Sequence, residues 1–223
     1  MHSMIQSSKN VLAIGAHPDD VEFGCFGTLK QHILNGDNVT ICLMSNSTVQ
    51  DATTGKFTRT RDVSINEAQC ASDIINAELI MLDYQDTEVP FNSDSIKQLE
   101  KIIVTKNIDI IYTHWGGDTH QDHINTLNTT LAASRMVDNV LCYEQVPLPR
   151  VCMSYPVANY YVDISNTLKD KLNSCSCHKS QLEKYHEMGI DILDNVRTLA
   201  KYRGNQSNVK YAEAFNVLKI VKK

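Results

Sequence analysis

Residues 11–27 read VLAIGAHPDDVEFGCFG, and this stretch decides the fold. The apolar run Val11 to Gly15 ends in a polar turn, and apolar residues then recur at helical spacing from Gly24 to Asn35. Gly36 ends this second segment. The pattern predicts a buried strand that leads through a turn into a helix, which is the first half of a βαβ unit.

The same alternation of short apolar runs and amphipathic segments continues along the chain. Predicted strands cover 39–44, 79–82, 108–113 and 140–143, and predicted helices cover 61–76, 95–105 and 124–136. Strands that alternate with helices form a mostly parallel sheet with helices on both faces. We therefore expect an α/β, Rossmann-like, doubly wound fold with a small C-terminal extension.

The C-terminal third continues the pattern less regularly. It contains a predicted strand at 160–164, one or two helices between 168 and 202, and a last apolar stretch at 211–221. No repeat or low-complexity linker separates this part from the rest. We predict a single domain over residues 1–223, with a core of about 10–146 and a C-terminal region of about 150–223 packed on it.

Charge, apolar runs and cysteines exclude several classes of protein. With 21 basic and 26 acidic residues the net charge is -5, and no cluster of basic residues suits a nucleic acid. The polar first ten residues and the short apolar runs predict a cytoplasmic protein without a signal peptide or membrane span. The seven cysteines lie mostly in apolar segments, so we expect reduced, buried thiols.

Two polar clusters follow the first and fourth predicted strands. The first is His17-Pro18-Asp19-Asp20, and the second is a loop that contains His114, Asp118, His120, Asp122 and His123. In a doubly wound sheet these two strands lie side by side where the winding reverses, and ligands bind beyond their carboxyl ends. The two clusters are therefore predicted to meet in one crevice.

A crevice with this many carboxylates and imidazoles requires a cation. Such ligands suit Zn²⁺ or another divalent ion, and a catalytic zinc site takes about three protein ligands. We predict that His17, Asp20 and His123 bind the metal. Asp19 and Asp20 diverge from each other, so Asp19 is left free to act as the general base.

The remaining polar residues of the second cluster are assigned as supporting groups. A protonated His120 would stabilise the oxyanion and protonate the leaving amine, and Asp122 would hold its ring and keep it charged. Taken alone, the His-Pro-Asp-Asp turn is as typical of a helix entry capped by Asp. Its occurrence together with the second cluster, at the two strand ends that share a switch point, favours the metal site.

At these residues the sequence resembles the LmbE-like, or PIG-L, family of zinc-dependent N-deacetylases. The first signature matches Ala16-His17-Pro18-Asp19-Asp20 with Gly24 and Gly27, and the second matches His120, Asp122 and His123. Further similarity covers His178-Lys179-Ser180-Gln181, Arg203-Gly204 and Tyr211-Ala212-Glu213-Ala214-Phe215. The resemblance implies a Rossmann-like fold, zinc on the three predicted ligands, the same catalytic roles, and hydrolysis of an N-acetyl group, commonly on glucosamine.

The sequence departs from the family pattern at a few positions. Val21 precedes Glu22 where many members have Glu directly after the Asp pair, and Phe26 replaces a glycine. Many members carry an arginine where this chain has Ser64, with Arg59 and Arg61 lying upstream instead. Whether either arginine contacts substrate stays open.

Five residues are candidates for substrate binding: Trp115, Tyr143, Arg61, Arg150 and His178. Trp115 could stack on a sugar ring, with core packing an equal alternative. Tyr143, Glu144 and Gln145 follow the fifth strand, where they could bind substrate or pack within the loop. His114 is interpreted as structural.

Cys175-x-Cys177-His178 lies in a predicted helix and does not suit a second metal. Gly24-x-x-Gly27 is too incomplete for a nicotinamide cofactor.

Together these patterns predict a zinc-dependent hydrolase. It would remove an N-acetyl group from an amino sugar or its conjugate, nucleotide-linked forms included, by attack of metal-bound water. Hydrolysis of a different amide in a sugar or thiol conjugate, and a non-catalytic zinc-stabilised binding module, are the alternatives. The expected partner is a small N-acyl sugar rather than nucleic acid or membrane, and the sequence leaves a homo-oligomer open.

Overall fold

The computed structural model describes residues 8–50, 57–147 and 151–222 of the chain. The strands are β1 (Asn10–Gly15), β2 (Asn38–Ser45), β3 (Val49–Gln50), β4 (Phe57–Arg59), β5 (Glu78–Tyr84), β6 (Ile110–His114), β7 (Asn139–Tyr143), β8 (Tyr160–Asp163) and β9 (Ala212–Lys219). The helices are α1 (Asp20–Leu34), α2 (Arg61–Asp73), α3 (Ser93–Thr105), α4 (Gln121–Ala133), α5 (Leu168–Cys175), α6 (Lys179–Glu187) and α7 (Ile192–Ser207).

Seven of these strands form one sheet in the order β5-β2-β1-β6-β7-β9-β8. The five strands from β5 to β7 are parallel, whereas β9 pairs antiparallel with both β7 and β8. The winding reverses between β1 and β6, which are hydrogen-bonded neighbours. The predicted Rossmann-like α/β fold is therefore confirmed, and the switch point lies between the two strands from which the polar clusters follow.

Alternate residues of β1 face two separate cores. Val11 and Ala13 pack with the apolar side of α1 and with Ala68 of α2. Leu12 and Ile14 pack on the opposite face, in a cluster that α3 and α4 complete. All four β1 side chains are fully buried, as expected for a central strand covered by helices on both faces.

Several elements differ from the sequence expectations, among them α4, which spans Gln121–Ala133 instead of 124–136. α1 begins at Asp20, ahead of the predicted Gly24, because polar side chains occupy its first turn and carry no apolar periodicity. The short β3–β4 hairpin was not predicted. Three helices replace the one or two expected after residue 168, and Gly189, at a φ of +73°, lies between α6 and α7.

The C-terminal region adds β9 to the same sheet between β7 and β8, and α5 packs on α1. This placement supports a single domain over residues 1–223, which stays a prediction. No helix within the described ranges is long and apolar enough to span a bilayer.

The expectation of reduced thiols is wrong for two of the seven cysteines. Cys70 on α2 and Cys177 in the turn between α5 and α6 form a disulfide, with a Cα–Cα distance of 5.8 Å. The apolar-segment argument failed because Cys70 is exposed and Cys177 half-exposed, on elements that adjoin only in the fold. The other five cysteines are free thiols: Cys25, Cys42, Cys142, Cys152 and Cys175.

This bond predicts the thiol count of the purified protein. Air-oxidised protein, unfolded without reductant, should titrate five thiols per chain, and seven after reduction. A Cys177→Ser variant should titrate six without reductant, because Cys70 then loses its partner. Seven thiols in the unreduced wild-type protein would contradict the disulfide.

Candidate active site

The turn after β1 is held by hydrogen bonds at both of its ends. The Ala16 backbone N–H donates to His114 Nε2 at 2.9 Å, and the His17 N–H donates to Asp20 Oδ2 at 2.7 Å. Gln145, beyond the end of β7, donates from Nε2 to Asp20 Oδ1 at 2.7 Å. His17 after β1 and Gln145 after β7 thus fix the carboxylate of Asp20 at the carboxyl edge of the sheet, and His114 at the end of β6 holds the Ala16 N–H.

His17, Asp20 and His123 converge on one point. Their ligand atoms lie within 4.8 Å of one another, and all three residues are buried. His17 Nδ1 is 3.5 Å from Asp20 Oδ2, and His123 Nε2 is 3.5 Å from Asp20 Oδ1. Tetrahedral zinc with bonds of about 2.0–2.1 Å separates its ligand atoms by about 3.3–3.4 Å. The spacing therefore fits a divalent ion.

The second nitrogen of each imidazole is held by a carboxylate. His17 Nε2 lies 2.9 Å from both Asp122 Oδ2 and Asp86 Oδ1, and His123 Nδ1 lies 2.6 Å from Asp118 Oδ2. Metal-binding histidines usually carry such a partner, which fixes the tautomer and directs the other nitrogen to the ion. The carboxylate partners of His17 and His123 therefore also fit a metal site, in addition to the spacing of the ligand atoms.

Asp122 contacts a different histidine from the one predicted. Its carboxylate contacts His17, and it also accepts the backbone N–H groups of Thr87 at 2.7 Å and Val89 at 3.2 Å. The reason is its position in the first turn of α4, against the loop between β5 and α3. Only its backbone N–H reaches the His120 ring, donating to Nδ1 at 3.3 Å. The expectation that the Asp122 carboxylate holds this ring is wrong. Its charge does raise the pKa of His120, but burial and the charges of His17 and His123 lower that pKa by more.

Asp19 lies in the cavity wall beside the three convergent residues and is buried. Burial, together with the charge of Asp20, raises the pKa of the Asp19 carboxyl to about 6. A carboxyl that titrates near neutral pH is well suited to accept and return a proton.

The histidines beside the convergent set differ in accessibility. His120 lines the cavity, and burial together with the charges of His17 and His123 lowers its pKa. His114 is buried, stacks on His123 with ring centroids 4.2 Å apart, and lies 3.2 Å from Asp20. Burial and the charge of His123 lower the pKa of His114 to about 4, which keeps its ring neutral. His114 thus supports the site from behind, while His120 faces the cavity.

The cavity above these residues has a volume of about 420 Å³. Its wall combines the residues just described with polar and apolar side chains from α1, α6 and the surrounding loops: Phe23, Ser47, Asp86, Asp118, Thr119, Gln145, Val146, Pro147, Gln181, Lys184 and Tyr185. The size and the mixed wall are typical of a site for a small polar molecule.

Comparison with known proteins matches this architecture to a family. Residues 12–134 match the family model PIG-L, described as GlcNAc-PI de-N-acetylase, and they include both polar clusters. The chain belongs to the PIG-L family. It is 32% identical over 149 residues to the uncharacterized deacetylase YaiS of Escherichia coli, a match that covers 64% of this chain and 77% of that protein.

A second relative spans more of the PIG-L chain. It is the diacetylchitobiose deacetylase of Thermococcus kodakarensis, 26% identical over 222 residues, with 92% of this chain and 81% of that protein covered.

Solved structures share the fold. An N,N'-diacetylchitobiose deacetylase from Pyrococcus horikoshii aligns with a TM-score of 0.75 at 22% identity, covering 98% of this chain and 86% of that one. The 4-carboxy-2-hydroxymuconate hydratase GalB of Pseudomonas putida aligns with a TM-score of 0.79 at 18% identity, covering 96% and 99%. Because a hydratase and a deacetylase share this fold, the fold alone does not define the reaction.

Four of the substrate-binding candidates are absent from the cavity wall formed by the described residues. Trp115 packs with Leu127 and Cys142, and Arg61 is exposed and pairs with Asp83 through two contacts of 2.9 Å. Tyr143 is buried and donates from its hydroxyl to Ile14 O at 2.9 Å.

His178 is fully buried, with Nε2 3.4 Å from Glu22 Oε2. The position of these four side chains gives no support to direct substrate contact. Arg150 lies outside the described residues.

Sequence reasoning missed several residues of the site. Asp86 follows β5 at the carboxyl edge of the sheet, so its position after a parallel strand was an available signal. Lys184 and Tyr185 of α6 had none, because their approach to the cavity depends on how the C-terminal helices pack. Arg59 is buried against the first polar turn. The sequence indicated only that it lies upstream of Ser64, the position at which many family members have an arginine.

Because Asp118 contacts His123, we expect the Asp118→Asn variant to bind zinc more weakly than the wild type. Replacing Asp118 by Asn removes the negative charge that orients His123, so the dissociation constant for Zn²⁺ should rise about 10- to 100-fold. Competition with a chromogenic chelator would measure it. An unchanged dissociation constant would show that Asp118 does not support the metal ligand.

Proposed function

We propose that this PIG-L family chain is a zinc-dependent hydrolase that removes the N-acetyl group of an amino sugar or an amino-sugar conjugate. The observation that carries the proposal is the convergence of His17, Asp20 and His123 in the wall of one cavity, beside the buried Asp19, which is not one of the convergent residues. The diacetylchitobiose deacetylase similarity supports the acetyl-sugar part.

The three convergent residues would hold the metal through His17 Nδ1, an Asp20 carboxylate oxygen and His123 Nε2. When bound, a divalent ion supplies Lewis-acid polarisation of the amide carbonyl and makes water more acidic. The Asp19 carboxylate accepts a proton from the attacking water, and its pKa of about 6 leaves it ionised at neutral pH.

His120 acts on the carbonyl oxygen as a neutral hydrogen-bond donor, not as the protonated acid expected from the sequence. Its Nδ1 accepts the Asp122 backbone N–H, which places the single proton of the neutral ring on Nε2. An Nε2–H group in the cavity wall can donate a hydrogen bond to the oxygen that becomes negatively charged. The departing amine takes its proton from Asp19, which was protonated in the first step, because the neutral His120 ring has no acidic proton to give.

The cavity wall suits a sugar ring. Ser47, Thr119 and Gln181 offer hydrogen bonds to hydroxyl groups, and Phe23 and Tyr185 offer apolar faces. A cavity of about 420 Å³ admits a monosaccharide or disaccharide unit, with the remainder of a conjugate outside.

Acetate release from a defined panel tests the proposal. Zinc-loaded protein would be incubated with N-acetylglucosamine, N,N'-diacetylchitobiose, UDP-N-acetylglucosamine and unrelated N-acetyl amides, and acetate and free amine would be measured together. We expect equal amounts of both from at least one sugar, and release that is slower by about 10²- to 10⁴-fold from the Asp19→Asn variant. Release from unrelated amides only would refute the sugar substrate, and a zinc-loaded protein inactive on the whole panel would refute the hydrolase.

A further inference from the structure

Asp19 has a backbone conformation that residues with a Cβ rarely adopt. Its φ is 125° and its ψ is -27°, in the left-handed half of the map, where steric strain is expected. A strained residue keeps such a conformation only when its surroundings hold it. The hydrogen bond from Phe23 N–H to Asp19 O, at 2.9 Å, fixes the carbonyl side of the residue. The peptide on its amino side needs its own anchor.

Arg59 supplies that anchor. It lies at the end of β4, is only 2% exposed, and donates from both Nη1 and Nη2 to the carbonyl oxygen of Pro18, each at 3.2 Å. This carbonyl belongs to the peptide unit between Pro18 and Asp19. Because that unit is planar, the direction of its carbonyl determines φ of Asp19.

Arg59 is itself held on its other side. Nη2 donates to Glu67 Oε2 at 3.2 Å, and Glu67 accepts the backbone N–H and the hydroxyl of Ser180, both at 2.7 Å. Ser180 lies in the first turn of α6, the helix that contributes Gln181 and Tyr185 to the cavity wall. The guanidinium group is thus clamped between the polar turn and the wall of the cavity.

The metal-binding residues of the turn do not depend on this clamp. Asp20 is fixed by the His17 N–H and by Gln145, and the His17 ring is fixed by Asp86 and Asp122. Arg59 contacts the turn at Pro18 alone, so its loss would release one peptide unit and leave the ligands in position.

We propose that Arg59 is a positioning residue that holds the Pro18–Asp19 peptide in its strained orientation and thereby directs the Asp19 carboxyl at the substrate. Without the guanidinium group this peptide rotates, φ of Asp19 becomes negative, and the carboxyl turns away from the cavity. The proposal rests on the proposed hydrolase function, in which Asp19 is the base. It also gives Arg59 a role that requires no contact with substrate.

Kinetics of Arg59 variants test the proposal. In Arg59→Met, kcat should fall about 10- to 100-fold, while KM and the zinc content stay at wild-type values. Arg59→Lys should recover part of kcat, because an ammonium group still donates to Pro18 O but cannot also bridge to Glu67. Arg197→Met is the matched control, since Arg197 on α7 is exposed and pairs with Asp194, and its kcat should not change. If Arg59→Met does not fold, Arg59→Lys carries the test.

Crystal structures of the same variants separate this proposal from the proposed function. A negative φ at Asp19 in Arg59→Met, with His17, Asp20 and His123 in place, is the expected result. A φ that stays near 125° would overturn the proposal, and so would an unchanged kcat or a fall in kcat that only follows a loss of zinc. If wild-type protein hydrolyses no amide, the proposed function fails, while the φ of Asp19 still tests the anchor.

Discussion

Replacement of Asp19 by Asn is expected to lower kcat for acetate release by about 10²- to 10⁴-fold, the usual contribution of a general base. The amide keeps the size and most hydrogen bonds of the carboxylate but cannot accept a proton at neutral pH. Asp19 is not one of the three convergent residues, so the zinc content should stay at the wild-type value. Steady-state kinetics and elemental analysis of the same preparation would measure both quantities.

Asp62→Asn is the matched control, because Asp62 is an exposed carboxylate in the first turn of α2. Its kcat should equal that of the wild type. Retained turnover in Asp19→Asn would remove Asp19 from the mechanism. A variant that loses zinc together with turnover would instead make Asp19 a ligand, contrary to the assignment.

Replacement of His123 by Ala is expected to abolish stoichiometric zinc binding and, with it, acetate release. The variant removes one of the three assigned protein ligands, and the two that remain, His17 and Asp20, are too few for a catalytic zinc ion. Zinc per chain after dialysis against a weak chelator, and acetate release by the same samples, are the two measurements.

His186→Ala is the control for this variant, because His186 is an exposed histidine on α6. It should bind zinc and release acetate as the wild type does. If His123→Ala retains one tightly bound zinc ion per chain, the assigned ligand set is wrong, even if turnover is lost.

The sequence predicted the part of the site that depends on topology. Alternating strands and helices place β1 beside β6, so the residues that follow these strands were predicted to meet, and His17, Asp20 and His123 do lie together. Asp20 belongs to the convergent group and Asp19 does not, which was predictable because adjacent side chains in a turn diverge. Periodicity and the rules of sheet winding are sufficient for these inferences.

The contacts that periodicity does not encode were missed or wrongly assigned. Asp122 pairs with His17 because the first turn of α4 faces the loop after β5, a detail of helix orientation. Arg59 reaches Pro18 from a short hairpin with no apolar pattern, and the Cys70–Cys177 bond joins two elements that no pairing rule brings together. Such contacts follow from how loops and C-terminal helices pack on the sheet.

Anomalous diffraction at the zinc edge, from a crystal of zinc-loaded protein, tests the metal assignment most directly. If these three residues bind zinc, we expect one strong peak about 2.0–2.2 Å from His17 Nδ1, an Asp20 carboxylate oxygen and His123 Nε2, with Asp19 outside bonding distance. A zinc-loaded crystal with no peak between these three residues would contradict it.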